Sequence, residues 1–145
     1  MSDSDKFKFK ILTPEGNAYE SPIDFVKLPC VTGEVGVLSS HSPMVAELKA
    51  GKMRVEIDGQ IQRFFVPKGF VHVLPSEVLL LVPYVEKRQE IDKDRAEDSR
   101  RRAIEHLSRS DTDRERARQS LIRAEARLYI LDRKSTRLNS SHLVI

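Results

Sequence analysis

From Lys6 to Ile11 charged and apolar side chains alternate without a break, with Phe7, Phe9 and Ile11 on one side and lysines on the other. A period of two marks a strand with one face on a core and the other in water. Thr13-Pro14-Glu15-Gly16 then reads as a turn, because proline presets φ and glycine accepts a positive φ. Short apolar runs follow at 23–28, 35–38 and 44–48. Met53, Val55 and Ile57 alternate with Arg54 and Glu56, and Asp58-Gly59 offers a hairpin turn before a run at 61–66. Runs at 70–74 and 78–82, split by Pro75-Ser76-Glu77, complete the set. About nine short strands separated by turn residues predict an antiparallel sandwich or barrel. No alternation of strand with helix supports a parallel sheet.

The pattern changes after Val85. From Glu86 to Lys134 there is neither glycine nor proline, and Glu, Arg, Ala and Leu dominate. Asp92 is an N-cap type ahead of a helix predicted to run to about Ser108. Ser110, Asp111, Thr112 and Asp113 mark a turn, and Thr112-x-x-Glu115 fits a capping box opening a second helix. There Ala117, Leu121, Ala124, Leu128 and Leu131 share a stripe, while Ala96, Ala103 and Leu107, flanked by Ile104, give the first helix a weaker one. Small alanines on both stripes allow close approach, so two antiparallel helices follow. With few leucines, each contributing about 1.5–3 kcal/mol when fully buried, the hairpin can dock only marginally on anything else. The predicted class is α+β, mainly β: an antiparallel β-sandwich over 1–85, a helical hairpin over 86–133, and an atypical tail over 134–145. The tail loses the stripe and fills with Ser, Thr and Asn; it reads as disordered or foreign sequence, and no function is placed on it.

Composition and charge sharpen this division. The net charge of +3 over 145 residues hides a split: residues 1–85 carry a net −1 and residues 86–145 a net +4. All 6 glycines and all 7 prolines precede position 84. Cys30 is the only cysteine, so no intrachain disulfide can form and no Cys/His cluster offers metal-ligand spacing. The amino terminus lacks the apolar stretch of a signal peptide, and Val78 to Val82 falls far short of the roughly 20 apolar residues of a membrane span. The expectation is a soluble chain on the cytosolic or matrix side.

Enzymatic signatures are absent: no nucleophile elbow, phosphate-cradling glycine loop, HExxH or paired-cysteine motif occurs. His41, His72, His106 and His142 stand apart from any Ser/Asp arrangement that would make one a base. Two segments stand out instead. One is the loop Gly33-Glu34-x-Gly36-Val37-Leu38-x-x-His41-x-Pro43; the other is Ile91-Asp92-x-x-Arg95-Ala96 at the start of the hairpin.

With Leu48-Lys49-x-Gly51 and Gly69-Phe70-Val71, these segments resemble the epsilon subunit of the bacterial F-type ATP synthase, called delta in mitochondria. The likeness runs from about Phe9 to Leu131, with departures at Cys30, where the family usually has Gly, and at Lys68. It implies a non-catalytic rotor subunit, peripheral to the cytoplasmic face of the bacterial inner membrane. In the family the sandwich grips the gamma subunit and rests on the c-ring, and the hairpin reaches the alpha/beta catalytic subunits to inhibit ATP hydrolysis. By the same likeness Glu34 and His41 are the candidate c-ring contacts, displayed on a loop that Gly33 and Gly36 keep tight.

The likeness also implies a regulatory site for ATP without Mg, and no required cofactor or metal. Its candidate residues are Glu86, Ile91, Asp92, Arg95, Ala96, Arg102, Arg123 and Arg127. In an antiparallel hairpin turning near Ser110, Arg95 approaches Arg127 and Arg102 approaches Arg123. Converging guanidiniums need acids or an anion among them, and their forks suit phosphate. A salt-bridged, solvated helix face accounts for the same pattern, and both readings stand at this point. A basic hairpin that binds nucleic acid is disfavoured, because Asp and Glu are interspersed and Tyr129 is the only aromatic after Tyr84. A free-standing sandwich acting as a ligand-binding or adaptor protein would leave the 33–43 match and the hairpin unexplained.

Overall fold

The computed structural model describes residues 5–109 and 113–133. Ten strands come first: β1 (Phe7–Thr13), β2 (Gly16–Ile23), β3 (Phe25–Cys30), β4 (Gly33–Leu38), β5 (Met44–Leu48), β6 (Gly51–Ile57), β7 (Gln60–Val66), β8 (Gly69–Val73), β9 (Glu77–Leu81) and β10 (Glu86–Lys87). A 3-10 turn at Arg88–Glu90 leads into α1 (Lys93–Ser108) and α2 (Arg114–Asp132).

The strands run in the order β10-β7-β6-β3-β5-β8-β9-β1-β2, with β4 paired to β3 off this path. On one side β3 divides its pairing: Phe25 to Lys27 face β6, whereas Cys30 faces Leu48 of β5. That division folds the path into two layers. They meet where Tyr19 of β2 packs edge-on against Phe64 of β7, with ring centroids 5.2 Å apart. Between them lie Phe9, Ile11, Ile23, Val26, Leu28, Met53, Val55, Val71, Val78 and Leu80, all essentially sealed from water. Cys30 is in this core too, and burial pushes its thiol pKa up.

The antiparallel sandwich expected from sequence is present, with one correction. β1 runs parallel to β9, from Lys8 beside Glu77 to Leu12 beside Leu81. A parallel pair needs a long connection, and the whole of β2 to β8 supplies it. The alternation in β1 showed which face is buried but could not show the direction of its neighbour. Apolar patterning also missed most of β2, where Ile23 alone is buried. It is an edge strand whose hydrogen-bonding register comes from β1, and an edge tolerates Pro22.

Asp92 caps α1 as its residue type suggested, its Oδ1 accepting from the Arg95 N–H at 3.1 Å. The predicted turn at 110–112 and the tail at 134–145 lie outside the described residues, and with them Thr112 of the expected capping box. Ala96 and Ala103 of α1 and Ala117 and Ala124 of α2 are buried where the helices touch, while Leu121 and Leu128 are only half-buried. The seam is as thin as the sequence implied. What holds the hairpin to the sandwich lies off that stripe: Ile130, fully buried, packs with Phe65 of β7, Ala50 and Ile91.

Candidate functional site

A groove of about 710 Å³ runs between α1 and α2 and ends against Tyr84 and Glu86. Glu86 belongs to β10, where it pairs with Phe65, so its carboxylate is placed by sheet register. Ile91 turns inward beside Phe65 and Ile130, which fixes where α1 starts. The Arg88 guanidinium donates to the carbonyls of Leu131 at 2.7 Å and Arg133 at 3.1 Å, capping the end of α2.

Arg95, Arg102, Arg123 and Arg127 all line this groove, as the antiparallel hairpin required. They differ in how firmly they are held. Arg127 is fixed: its Nε donates to Glu86 Oε1 at 2.8 Å, Nη2 reaches the Tyr84 hydroxyl at 3.4 Å, and Cζ lies 4.0 Å over the Phe65 ring. Arg102 pairs with Asp98 one turn back at 3.1 Å, and Arg123 donates to Ser120 Oγ at 3.2 Å. The Arg95 and Arg123 guanidiniums have no carboxylate within ion-pair distance among the described residues. Asp92 and Ala96 also line the groove. Ile91 does not, and is a packing residue beneath it.

The structure adds Glu90, Ser99, His106, Asp113, Arg116 and Ser120 to the lining. Arg116 was legible, since it precedes Arg123 by seven residues on the same face of α2. Five arginines and four carboxylates therefore border one trough. Such a wall offers guanidinium forks to an anion and carboxylate acceptors to donor groups at the Glu86 end.

The second candidate segment is more structured than a loop. Gly33 to Leu38 is strand β4, antiparallel to β3, and the Gly33 φ of 130° makes the turn. Gly36 is needed for a different reason than an exposed backbone path: a Cβ there would come within 2.9 Å of the Phe25 ring. Glu34 is exposed and pairs with Lys27 at 3.4 Å. His41 corrects the expectation that it is displayed. It is half-buried, its Nδ1 2.6 Å from the Leu38 carbonyl, its Nε2 against the Leu74 carbonyl, and its ring edge-on to Phe7. It braces the 39–43 connection to the turn before β9. Among the described residues no group of His, Cys, Asp and Glu is placed to hold a metal, and no helix is long and apolar enough to cross a membrane.

Comparison with known proteins matches both halves of this architecture. Residues 6–88 match the family described as ATP synthase, Delta/Epsilon chain, beta-sandwich domain, and residues 89–131 match ATP synthase, Delta/Epsilon chain, long alpha-helix domain. This chain belongs to the ATP synthase delta/epsilon family. The ATP synthase epsilon chain of Bacillus pumilus is 38% identical over 121 residues, covering 83% of this chain and 92% of its own. That of Bacillus velezensis is 39% identical over 125 residues, covering 85% and 95%; that of Bacillus subtilis is 42% identical over 106 residues, covering 73% and 80%. The fold alone is shared with a chain in the Euglena gracilis mitochondrial ATP synthase OSCP/F1/c-ring structure. There the TM-score is 0.67 at 21% identity, over 88% of this chain and 78% of that one.

For the delta/epsilon family this division is informative. The sandwich family ends at residue 88 and the helical one begins at 89, which is where β10 gives way to the turn leading to α1. Glu86 thus comes from the sandwich and faces arginines of the hairpin, so the Tyr84–Glu86 end of the groove is in place only while the two parts are together.

Proposed function

We propose that this chain is a non-catalytic central-stalk subunit of a proton-translocating F-type ATP synthase, peripheral to the cytoplasmic face of a bacterial membrane. The reading rests on one observation above all: both family domains match in order and almost end to end, at 38–42% identity to Bacillus epsilon chains. The sandwich is the part that couples. Val45, Phe70 and Leu81 stand exposed on neighbouring strands β5, β8 and β9, an apolar face of the kind that marks a protein interface, and it is assigned to the gamma subunit. Glu34 on β4 offers a carboxylate to the c-ring, and His41 holds the adjoining connection that presents it. Replacing Glu34 by Lys in the assembled enzyme should reduce ATP-driven proton pumping more than hydrolysis. Pumping that stays in proportion to hydrolysis would remove Glu34 from the contact.

The hairpin is the regulatory part, down on the sandwich or extended into the catalytic hexamer, where it inhibits hydrolysis. The groove supports ATP as its ligand. Arg95, Arg102, Arg123 and Arg127 would take the phosphates, and Glu86 and Asp92 would accept from the adenine amino group. Five arginines against four carboxylates need no divalent cation to admit a polyanion. Nucleotide that binds only the docked form stabilises it by about 2.7 kcal/mol at 100 times its dissociation constant. Calorimetric titration of the purified chain with ATP in EDTA tests this. Binding lost in Arg95→Ala supports it; no heat at millimolar ATP leaves the hairpin a mechanical inhibitor without this input.

A further inference from the structure

A second cationic site lies on the outer face of the sandwich, separate from the groove. Register sets Lys27 opposite Arg54 and Arg54 opposite Arg63, so three cations cross β3, β6 and β7 in one row. Like charges placed directly opposite each other destabilise a sheet. Lys52 shares that face two residues from Arg54, and Arg133 arrives at the end of α2. The ring of Tyr129 joins them, with Lys52 Nζ 4.4 Å and Arg133 Cζ 3.6 Å from its centroid. Carboxylates sit among these five cations: Glu34 is 3.4 Å from Lys27, and Glu56 is 2.9 Å from Arg54 Nε. The second contact is off-axis, and Arg54 Nε is buried without a hydrogen bond. Burial pushes the Arg63 pKa down, the charges of Arg54 and Arg133 act in the same direction, and Tyr129 and Glu56 oppose them.

Lys27, Glu34, Lys52, Arg54, Arg63 and Tyr129 border a pocket of about 50 Å³. One water needs about 10–15 Å³ of such space, so about three to five oxygen-sized atoms fit, the size range of a small tetrahedral oxyanion. Guanidinium forks beside lysine ammoniums are the chemistry that recognises phosphate. Because Tyr129 of α2 forms part of the wall, the pocket is complete only while the hairpin is docked.

We propose that this pocket binds a free polyvalent oxyanion of the phosphate class, between the Lys27–Arg54–Arg63 row and Tyr129, and that the bound anion holds the end of α2 on the sandwich. The site is independent of the nucleotide groove: the two share no residue. The anion offsets the repulsion within the row, and a ligand that binds only the docked form shifts the hairpin towards it.

The test uses the full chain, labelled with nitrogen-15 and titrated with sodium phosphate against sodium chloride at matched ionic strength. Saturable shifts are expected at the Arg54 and Arg63 Nε–H signals and the Tyr129 amide, with phosphate only, together with slower hydrogen exchange at 126–131. Lys52→Gln, at an exposed position that leaves the core intact, should raise the apparent dissociation constant about tenfold, the cost of losing a charged hydrogen bond. Arg95→Ala, in the groove, should leave it unchanged, so loss of ATP binding and loss of phosphate binding are read separately. Equal shifts with chloride, shifts that never saturate, or an unaltered constant in Lys52→Gln would overturn the proposal. So would binding only to phosphatidylcholine vesicles containing phosphatidic acid, because that would make the row a membrane-facing patch and not a pocket for a free anion.

Discussion

Ile130→Ala separates the two halves of this molecule most cleanly. Ile130 is fully buried, yet it belongs to a small cluster with Ala50, Phe65 and Ile91 and not to the sandwich core. Truncating a buried isoleucine to alanine costs about 2–5 kcal/mol, the larger figure where the cavity cannot collapse. Here the hairpin can simply lift, so the low end applies, and about 2 kcal/mol moves the docked-to-undocked ratio roughly 30-fold. The remaining attachments do not offset that loss. They include the Arg127–Glu86 pair, about three-quarters buried, the two Arg88 hydrogen bonds that close the end of α2, and the contact of Lys52 with the Tyr129 ring. Native-state hydrogen exchange is the assay, read separately on α2 and on β3, β6 and β7. Protection in α2 should fall by at least tenfold while amides of the central strands stay within twofold of the parent. Limited trypsin digestion should show the same order, with cleavage at hairpin arginines before any in the sandwich. If α2 and the strands lose protection together, the chain is one cooperative unit and the docking argument is wrong. Unchanged protection in α2 would mean that Ile130 does not carry the docking of the hairpin on the sandwich.

Three further outcomes follow from particular contacts. Glu86→Gln removes the carboxylate that fixes Arg127 and should weaken hairpin docking by about 1 kcal/mol, read as faster exchange in α2; an effect that does not diminish with added salt would argue against an ion pair. Gly36→Ala places a methyl against the Phe25 ring and should lower stability by about 1–3 kcal/mol in urea, with the β3–β4 amides most affected; an unchanged midpoint would show that the ring moves aside freely. Glu20 has its pKa lowered chiefly by the Lys8 hydrogen bond and then by Asn17, so it binds protons less readily folded than unfolded. Its contribution is therefore present above the unfolded-state value of 4.5 and is lost as pH falls through the lower folded one. Exchange in β2 should accelerate over that acidic window in the parent and not in Glu20→Gln; the same acceleration in both would assign it elsewhere.

The periodicities settled much of this molecule before any contact was known. Alternation in Phe7, Phe9 and Ile11 and in Met53 and Val55 identified strand faces that are indeed buried, with Ile57 only partly so at the end of β6, because one-sided burial in a sheet forces a period of two. Absence of Gly and Pro after Pro83 located the helices, and Asp92 marked the N-cap of α1 correctly, because capping is a local hydrogen bond. The spacing of Arg95, Arg102, Arg123 and Arg127 brought all four to one groove, since an antiparallel hairpin fixes which turns face each other. Other features depend on residues far apart in the chain, and no local pattern encodes them. The parallel pairing of β1 with β9 and the existence of β2 are decided by which strand is left to pair at the edge. Glu86 enters a sheet through Phe65, and Ile91 leaves the groove because Ile130 and Phe65 offer it an apolar site. His41 turns inward because two carbonyls, one contributed by Leu74, lie within reach of its ring. The Lys27–Arg54–Arg63 row exists only through register, which aligns three strands whose sequences separately show nothing more than ordinary exposed cations.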